Sequence, residues 1–132
     1  LDDLGIAEAI VWQVKEFTNR TRIECEFEDT LDNFEPDLER STTLFRIFQE
    51  TLTNVVRHAR ATKVYVTLSE YNEGITLKVR DNGCGISSSQ VSNIRSLGLL
   101  GMRERAMAWG GNIQIHGIPD EGTTVTISIQ KG

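Results

Sequence analysis

Between Lys63 and Asp81 the chain alternates in period two. Val64, Val66 and Leu68 alternate with Lys63, Tyr65 and Thr67; then Ile75, Leu77 and Val79 alternate with Thr76, Lys78 and Arg80. The pattern breaks once, at Asn72-Glu73-Gly74. Successive strand side chains point to opposite faces, so this predicts a β-hairpin of strands 63–71 and 74–81, with one face apolar and one polar. A sheet with one apolar face needs a second layer to cover it.

Helical patterns elsewhere supply that layer. Ile6, Ala9, Ile10, Val14 and Phe17 recur at spacings of three and four, which predicts a helix over 5–19. Ile23, Cys25 and Phe27 alternate weakly and predict a strand over 22–28. Thr30 to Arg40, with Pro36 and several acids, reads as a loop. A second helix is predicted over 43–59, capped by Ser41 or Thr42, with Leu44, Phe48, Leu52, Val55 and Ala59 as its buried stripe. Ser87 to Leu97, polar and with three consecutive serines, reads as a mobile loop.

A short helix is expected over Met102 to Trp109, starting after Gly101 and stopping at Gly110-Gly111. Ile113 and Ile115 mark one further strand. Val125, Ile127 and Ile129 mark another, beyond the turn-rich Pro119-Asp120-Glu121-Gly122. The order α, β, α, β, β, loop, α, β, β predicts an α+β two-layer sandwich: a mixed, mostly antiparallel sheet packed on one face by about three helices.

Composition narrows the function classes. A chain of 132 residues is one domain, long enough for a core without staples. Its net charge of −5 carries no nucleic-acid footprint. Cys25 and Cys84 form no CxxC pair, which fits a reducing compartment, and with two histidines they make a poor structural zinc set. No apolar run approaches the roughly 18 residues of a membrane span, and no signal peptide is visible. A start at Leu1, without Met, is expected of a piece of a longer protein.

Three stretches carry chemistry. Arg80-Asp81-Asn82-Gly83-Cys84-Gly85 ends the hairpin. It reads as an ordinary turn, or as a site in which Asp81 accepts from a polar ligand edge while Gly83 and Gly85 allow close backbone approach. Arg46, Glu50, Asn54 and His58 lie four apart on the second helix and share one stripe. That stripe is either a solvated surface or a ligand-facing row. In the second case Asn54 offers an amide oxygen to Mg²⁺, Glu50 orients an attacking group, and Arg57 and His58 face phosphate oxygens. Gly98-Leu99-Leu100-Gly101-Met102 precedes the third helix and is either a hinge or an anion site of free N–H groups. Gly122-Thr123 enters the last strand, where the Thr123 hydroxyl could complete a contact to a base.

Taken together, these elements resemble the ATP-binding catalytic domain of two-component sensor histidine kinases. Its Bergerat-type fold is shared with type II topoisomerases, ninety-kilodalton heat-shock chaperones and mismatch-repair ATPases. Glu50 to Ala59 resembles the N box, Asp81-Asn82-Gly83-Cys84-Gly85 the first glycine box, Gly98 to Gly101 the second, and Gly122-Thr123 the closing Gly-Thr. The likeness covers nearly the whole chain, in order. Leu1-Asp2-Asp3-Leu4-Gly5-Ile6 and the run Gly98 to Arg105 are similar to the nitrate-sensor type, in which residues 1–6 would end the linker from a phosphoacceptor hairpin.

The resemblance implies a set of roles. Glu50 assists the reaction. Asn54 binds Mg²⁺ bridging the triphosphate, and Asp81 accepts from the adenine amino group. Arg57 and His58 lie near the phosphates. Gly83, Gly85, Ile86, Gly98, Leu99, Leu100, Gly101, Met102 and Thr123 complete the nucleotide contacts, and Ser87 to Leu97 forms an ATP lid. Relatives often carry glycine where Ser96 stands. His58 and His116 are not in acceptor context, so the phosphate would pass to a histidine on a separate helical hairpin and then to a response regulator. A soluble, cytoplasmic, monomeric piece is the expectation, from a parent that the resemblance allows to be membrane-anchored. A nucleotide-binding regulatory module and an anti-sigma-factor serine kinase are the alternatives on this fold.

Overall fold

In a computed structural model, residues 5–32, 34–87 and 98–131 are described. The elements in chain order are α1 (Ile6–Thr21), β1 (Glu24–Asp29), α2 (Leu38–Asn54) with a π-helical turn (Val55–Ala59), β2 (Lys63–Tyr71), β3 (Gly74–Asp81), α3 (Leu99–Met107), β4 (Asn112–Ile118) and β5 (Gly122–Gln130). The strands form one sheet in the order β1-β2-β3-β5-β4. Only β1 and β2 run parallel, joined across α2; the other three pairings are antiparallel. This is the expected two-layer sandwich.

The hairpin register opposes Val66 to Val79 and Leu68 to Leu77, so the apolar members of the alternation share one face. Against that face pack Ile6, Ile10 and Phe17 of α1, Leu44, Ile47 and Phe48 of α2, and Leu99, Met102 and Ala106 of α3. All these side chains are buried. Among the described residues no helix is long and apolar enough to cross a membrane.

Three expected boundaries move, each for a local reason. α2 begins at Leu38, inside the stretch read as loop, and its cap is Asp37, whose Oδ1 accepts from Arg40 N at 2.8 Å. Ser41 and Thr42 do not cap it. Their hydroxyls donate back to Pro36 O and Leu38 O, the way such residues satisfy themselves within a helix. Pro36, which suggested a loop, stands just before the cap, where its missing N–H costs nothing.

α3 begins at Leu99, with Gly98 in the left-handed region at φ 67 as its cap position, so Gly101 lies within the helix. The first strand begins at Glu24, because Arg22 takes a left-handed conformation that ends α1 and donates its N–H to Thr18 O. The serine-rich loop expectation falls on 88–97, outside the described residues, as does Ser96.

Candidate functional site

The last turns of α2 and the ends of three strands enclose a cleft of about 510 Å³, open solvent included. Thr51, Asn54, Val55, His58 and Ala59 form its wall. The floor is one cross-strand row, Val79 opposite Val125 and Val125 opposite Ile115. The next row on the same face, Leu77, Ile127 and Ile113, is fully buried in the core. Ile115 and Val125 are only half-buried. The cleft thus exists because the apolar face of the sheet continues one row beyond its helical cover.

Asp81 closes one end of the cleft and is 6% exposed. Its Oδ1 accepts from Gly83 N at 2.8 Å and from Thr123 N at 3.3 Å. Oδ2 accepts nothing among the described residues, so it is the atom left for a ligand donor. Burial pushes the carboxyl pKa above the ordinary value, and the two backbone N–H groups pull partly against that.

The Thr123 hydroxyl oxygen accepts from Ile86 N at 2.8 Å, which leaves its proton for a ligand. Thr123 therefore fastens the glycine stretch to β5, and its N–H ties the Asp81 carboxylate of β3 to the same point.

Gly85 and Ile86 line the cleft beside Thr123, as expected of ligand-facing residues, and the glycines also serve a packing contact. A Cβ on Gly83 would stand 2.0 Å from Ala59 O, and Cys84 N donates to that same carbonyl at 2.7 Å. The Cys84 thiol donates to His58 O at 3.2 Å. The stretch after Asp81 is thus docked onto the end of α2, which ties the cleft's wall to its closed end. Gly85 sits at φ +81, where a Cβ would also stand 2.2 Å from Ile118 O.

The stripe on α2 divides. Asn54 and His58 line the cleft. The His58 Nε2 is buried without a hydrogen-bond partner among the described residues, a polar atom that a ligand would satisfy. The π-helical turn carries it, a distortion that often marks functional positions. Arg57 is exposed and does not line the cleft. Glu50 and Arg46 lie instead in a polar groove beside α3.

Gly98 to Met102 does not line the cleft either. Leu99 and Met102 are buried in the core, and Leu100 is largely exposed. Gly98 packs on Glu50, whose Oε1 would lie 2.7 Å from a Cβ there. The N-terminus of α3 therefore meets Glu50, one turn along α2 from Asn54.

Sequence reasoning missed Thr51, Val79, Ile115 and Val125 as lining residues. Alternation marks Val79, Ile115 and Val125 as inward-facing, but cannot mark where the helical cover stops.

Among the described residues no three His, Cys, Asp or Glu side chains converge as a metal site. Asn54 offers one amide oxygen, which suits a hard cation that keeps its waters and arrives with phosphate. An apolar slot with one buried carboxylate at its end suits a flat heteroaromatic ring bearing an amine.

Comparison with known proteins bears on this geometry. Residues 39–132 match the family described as histidine kinase-, DNA gyrase B-, and HSP90-like ATPase. The chain is 36% identical over 131 residues to the signal transduction histidine-protein kinase/phosphatase DegS of Brevibacillus brevis, covering 98% of this chain and 33% of that protein. It is 35% identical over 129 residues to the sensor histidine kinase LiaS of Bacillus subtilis, covering 98% and 35%. The chain thus spans about a third of the length of these relatives.

In fold it is similar to the histidine kinase domain of a blue-light activated histidine kinase of Erythrobacter litoralis, with a TM-score of 0.82 at 19% identity, covering 97% of this chain and 62% of that one. It is also similar to the catalytic domain of histidine kinase ThkA, with a TM-score of 0.75 at 21% identity, covering 96% and 89%.

Proposed function

We propose, from the premise that this chain belongs to the histidine kinase-, DNA gyrase B-, and HSP90-like ATPase family, that it binds ATP and catalyses phosphorylation of a histidine. The acceptor histidine lies on a separate helical segment, and a response regulator receives the phosphoryl group next. The names of the relatives support the kinase reading, and residues 1–132 form its catalytic domain. The observation that carries the nucleotide reading is Asp81, a buried carboxylate with one unpartnered oxygen at the end of an apolar slot.

In this reading Asp81 Oδ2 accepts from the adenine amino group while Val79, Val125 and Ile115 lie against the ring. His58 Nε2 and the Thr123 hydroxyl donate or accept at the edge of the nucleotide. The Asn54 amide oxygen holds Mg²⁺, which supplies charge neutralisation across the phosphates. Glu50 lies about 6 Å further along α2 from Asn54, by the rise of one turn. Arg57 and the N-terminus of α3, Gly98 to Met102, complete the phosphate end on ligand binding.

The reaction is an in-line displacement. A neutral imidazole nitrogen forms the N–P bond as the bond from the γ-phosphorus to its bridging oxygen breaks, and ADP leaves with that electron pair. The other ring N–H gives its proton to a carboxylate, the role of Glu50. Positioning and charge supply most of the acceleration.

The experiment mixes this domain with Mg²⁺-ATP and the parent's acceptor segment. The expected product is an acid-labile, alkali-stable phosphohistidine. Its absence under all conditions overturns the kinase reading. Unchanged nucleotide affinity in Asp81→Asn overturns the adenine assignment.

A further inference from the structure

The polar groove beside the cleft is walled by Arg46, Gln49, Glu50 and Thr53 of α2 and Arg105 of α3. Arg46 and Arg105 are exposed, and neither forms an ion pair among the described residues. Two guanidiniums around one carboxylate make this groove locally positive on a chain of net charge −5. Gly101, one turn before Arg105, has no side chain, and the Arg105 guanidinium lies 3.2 Å from where its Cβ would stand. Gly98 packs its backbone against Glu50 from the α3 side, and Glu50 stays only half-buried where it lines the groove. The wall nearest Glu50 is therefore backbone, which a bulky visitor can approach.

Position decides what the visitor is. Asp81 marks the base end of the cleft and Asn54 its metal end. Arg46 lies two turns beyond Asn54, about 12 Å along the helix axis. On the kinase reading a triphosphate held at Asn54 would reach toward Glu50, which lies between Asn54 and Arg46 on α2. We infer that this groove receives the protein segment that accepts the phosphoryl group, and that a carboxylate on that segment pairs with Arg46 and Arg105 while its acceptor side chain reaches Glu50. Guanidinium forks favour carboxylates in such bidentate pairs. The inference rests on the kinase reading and adds where, and by what charge, the acceptor docks.

The test uses this domain with the acceptor segment added separately, comparing wild type with Arg46→Glu and Arg105→Glu. Both side chains are exposed, and melting curves confirm folding. Binding of the segment is titrated without nucleotide, and transfer is followed with Mg²⁺-ATP. Each reversal is expected to weaken segment binding and raise the segment's KM on the order of tenfold, about 1.4 kcal/mol, with kcat and ATP affinity within about twofold of wild type. Changing an acidic residue of the segment to lysine should restore binding to the reversed domain. Unchanged segment affinity and KM would overturn the groove. So would an equal loss of ATP affinity, which would assign the arginines to the nucleotide. Wild type that binds the segment but forms no phosphohistidine overturns the kinase reading and leaves the docking result standing on the titration.

Discussion

Asp81 commits one oxygen to the fold and, in the proposed reading, keeps the other for the ligand. Oδ1 holds Gly83 and Thr123, and Oδ2 has no partner among the described residues. Asp81→Asn can keep the Oδ1 bonds through its amide oxygen while removing a buried charge, so stability should stay within about 1 kcal/mol. Nucleotide affinity should fall roughly ten- to hundredfold, because an amide N–H would face the amino group. Calorimetric titration and denaturant melts check both.

The pH dependence follows from the raised pKa. The native state keeps its proton to higher pH than the unfolded chain, so this group's contribution to stability falls as pH rises between the two values. On the proposed adenine contact the ligand needs the carboxylate, so affinity should fall as pH drops through the raised value, and Asp81→Asn should lose that dependence. The same oxygen should repel a carbonyl, so GTP is expected to bind at least tenfold weaker than ATP in competition. Asp81 was legible as a candidate only beside the other motifs, because a carboxylate followed by two spaced glycines at a strand end also reads as an ordinary turn. The division of its oxygens was not, because Thr123 lies 42 residues away and only the β3–β5 pairing brings it near.

At the scale of elements, α2 positions the cleft's wall, and both of its ends depart from the sequence pattern. The cap is Asp37, so Asp37→Ala should cost about 1 kcal/mol in chemical denaturation, while Thr42→Ala should change stability by less than about 0.5 kcal/mol. The far end is a π-helical turn locked by Cys84 N and by the close approach of Gly83 to Ala59 O. Gly83→Ala has no room for its methyl group. It should destabilise by about 2 kcal/mol or more and weaken nucleotide binding with it, since the backbone must shift beside Asp81.

Periodicity found the body of α2 readily, because Leu44, Phe48 and Leu52 repeat on one face. It could not find the π turn, since one extra residue in a turn leaves no mark in an apolar spacing of four. The start was misplaced because Pro36 and the acids around it look alike in a loop and in a helix's first turn.

For the whole molecule, ligand binding and folding are linked, because the cleft joins elements distant in sequence. Mg²⁺-ATP at a hundred times its Kd should stabilise the domain by about 2.7 kcal/mol, read as a rise of several degrees in Tm. Asp81→Asn should show little of that rise at the same nucleotide concentration.

What the sequence by itself determined is the layered architecture and the polar residues that could face a ligand. Both follow from local chemistry: alternation assigns strand faces, three- and four-residue spacing assigns helix faces, and carboxylates, amides and glycines at element ends are visible one by one. Only the tertiary structure decided that Asn54 and His58 share a cleft with Asp81, while Glu50 and Arg46 face a second groove against α3. Periodicity says which face of an element turns inward, but not how far its neighbour extends over it. The site lies where the helix layer ends one row short of the sheet's apolar face, and that edge is set by packing among α2, β3, β4 and β5.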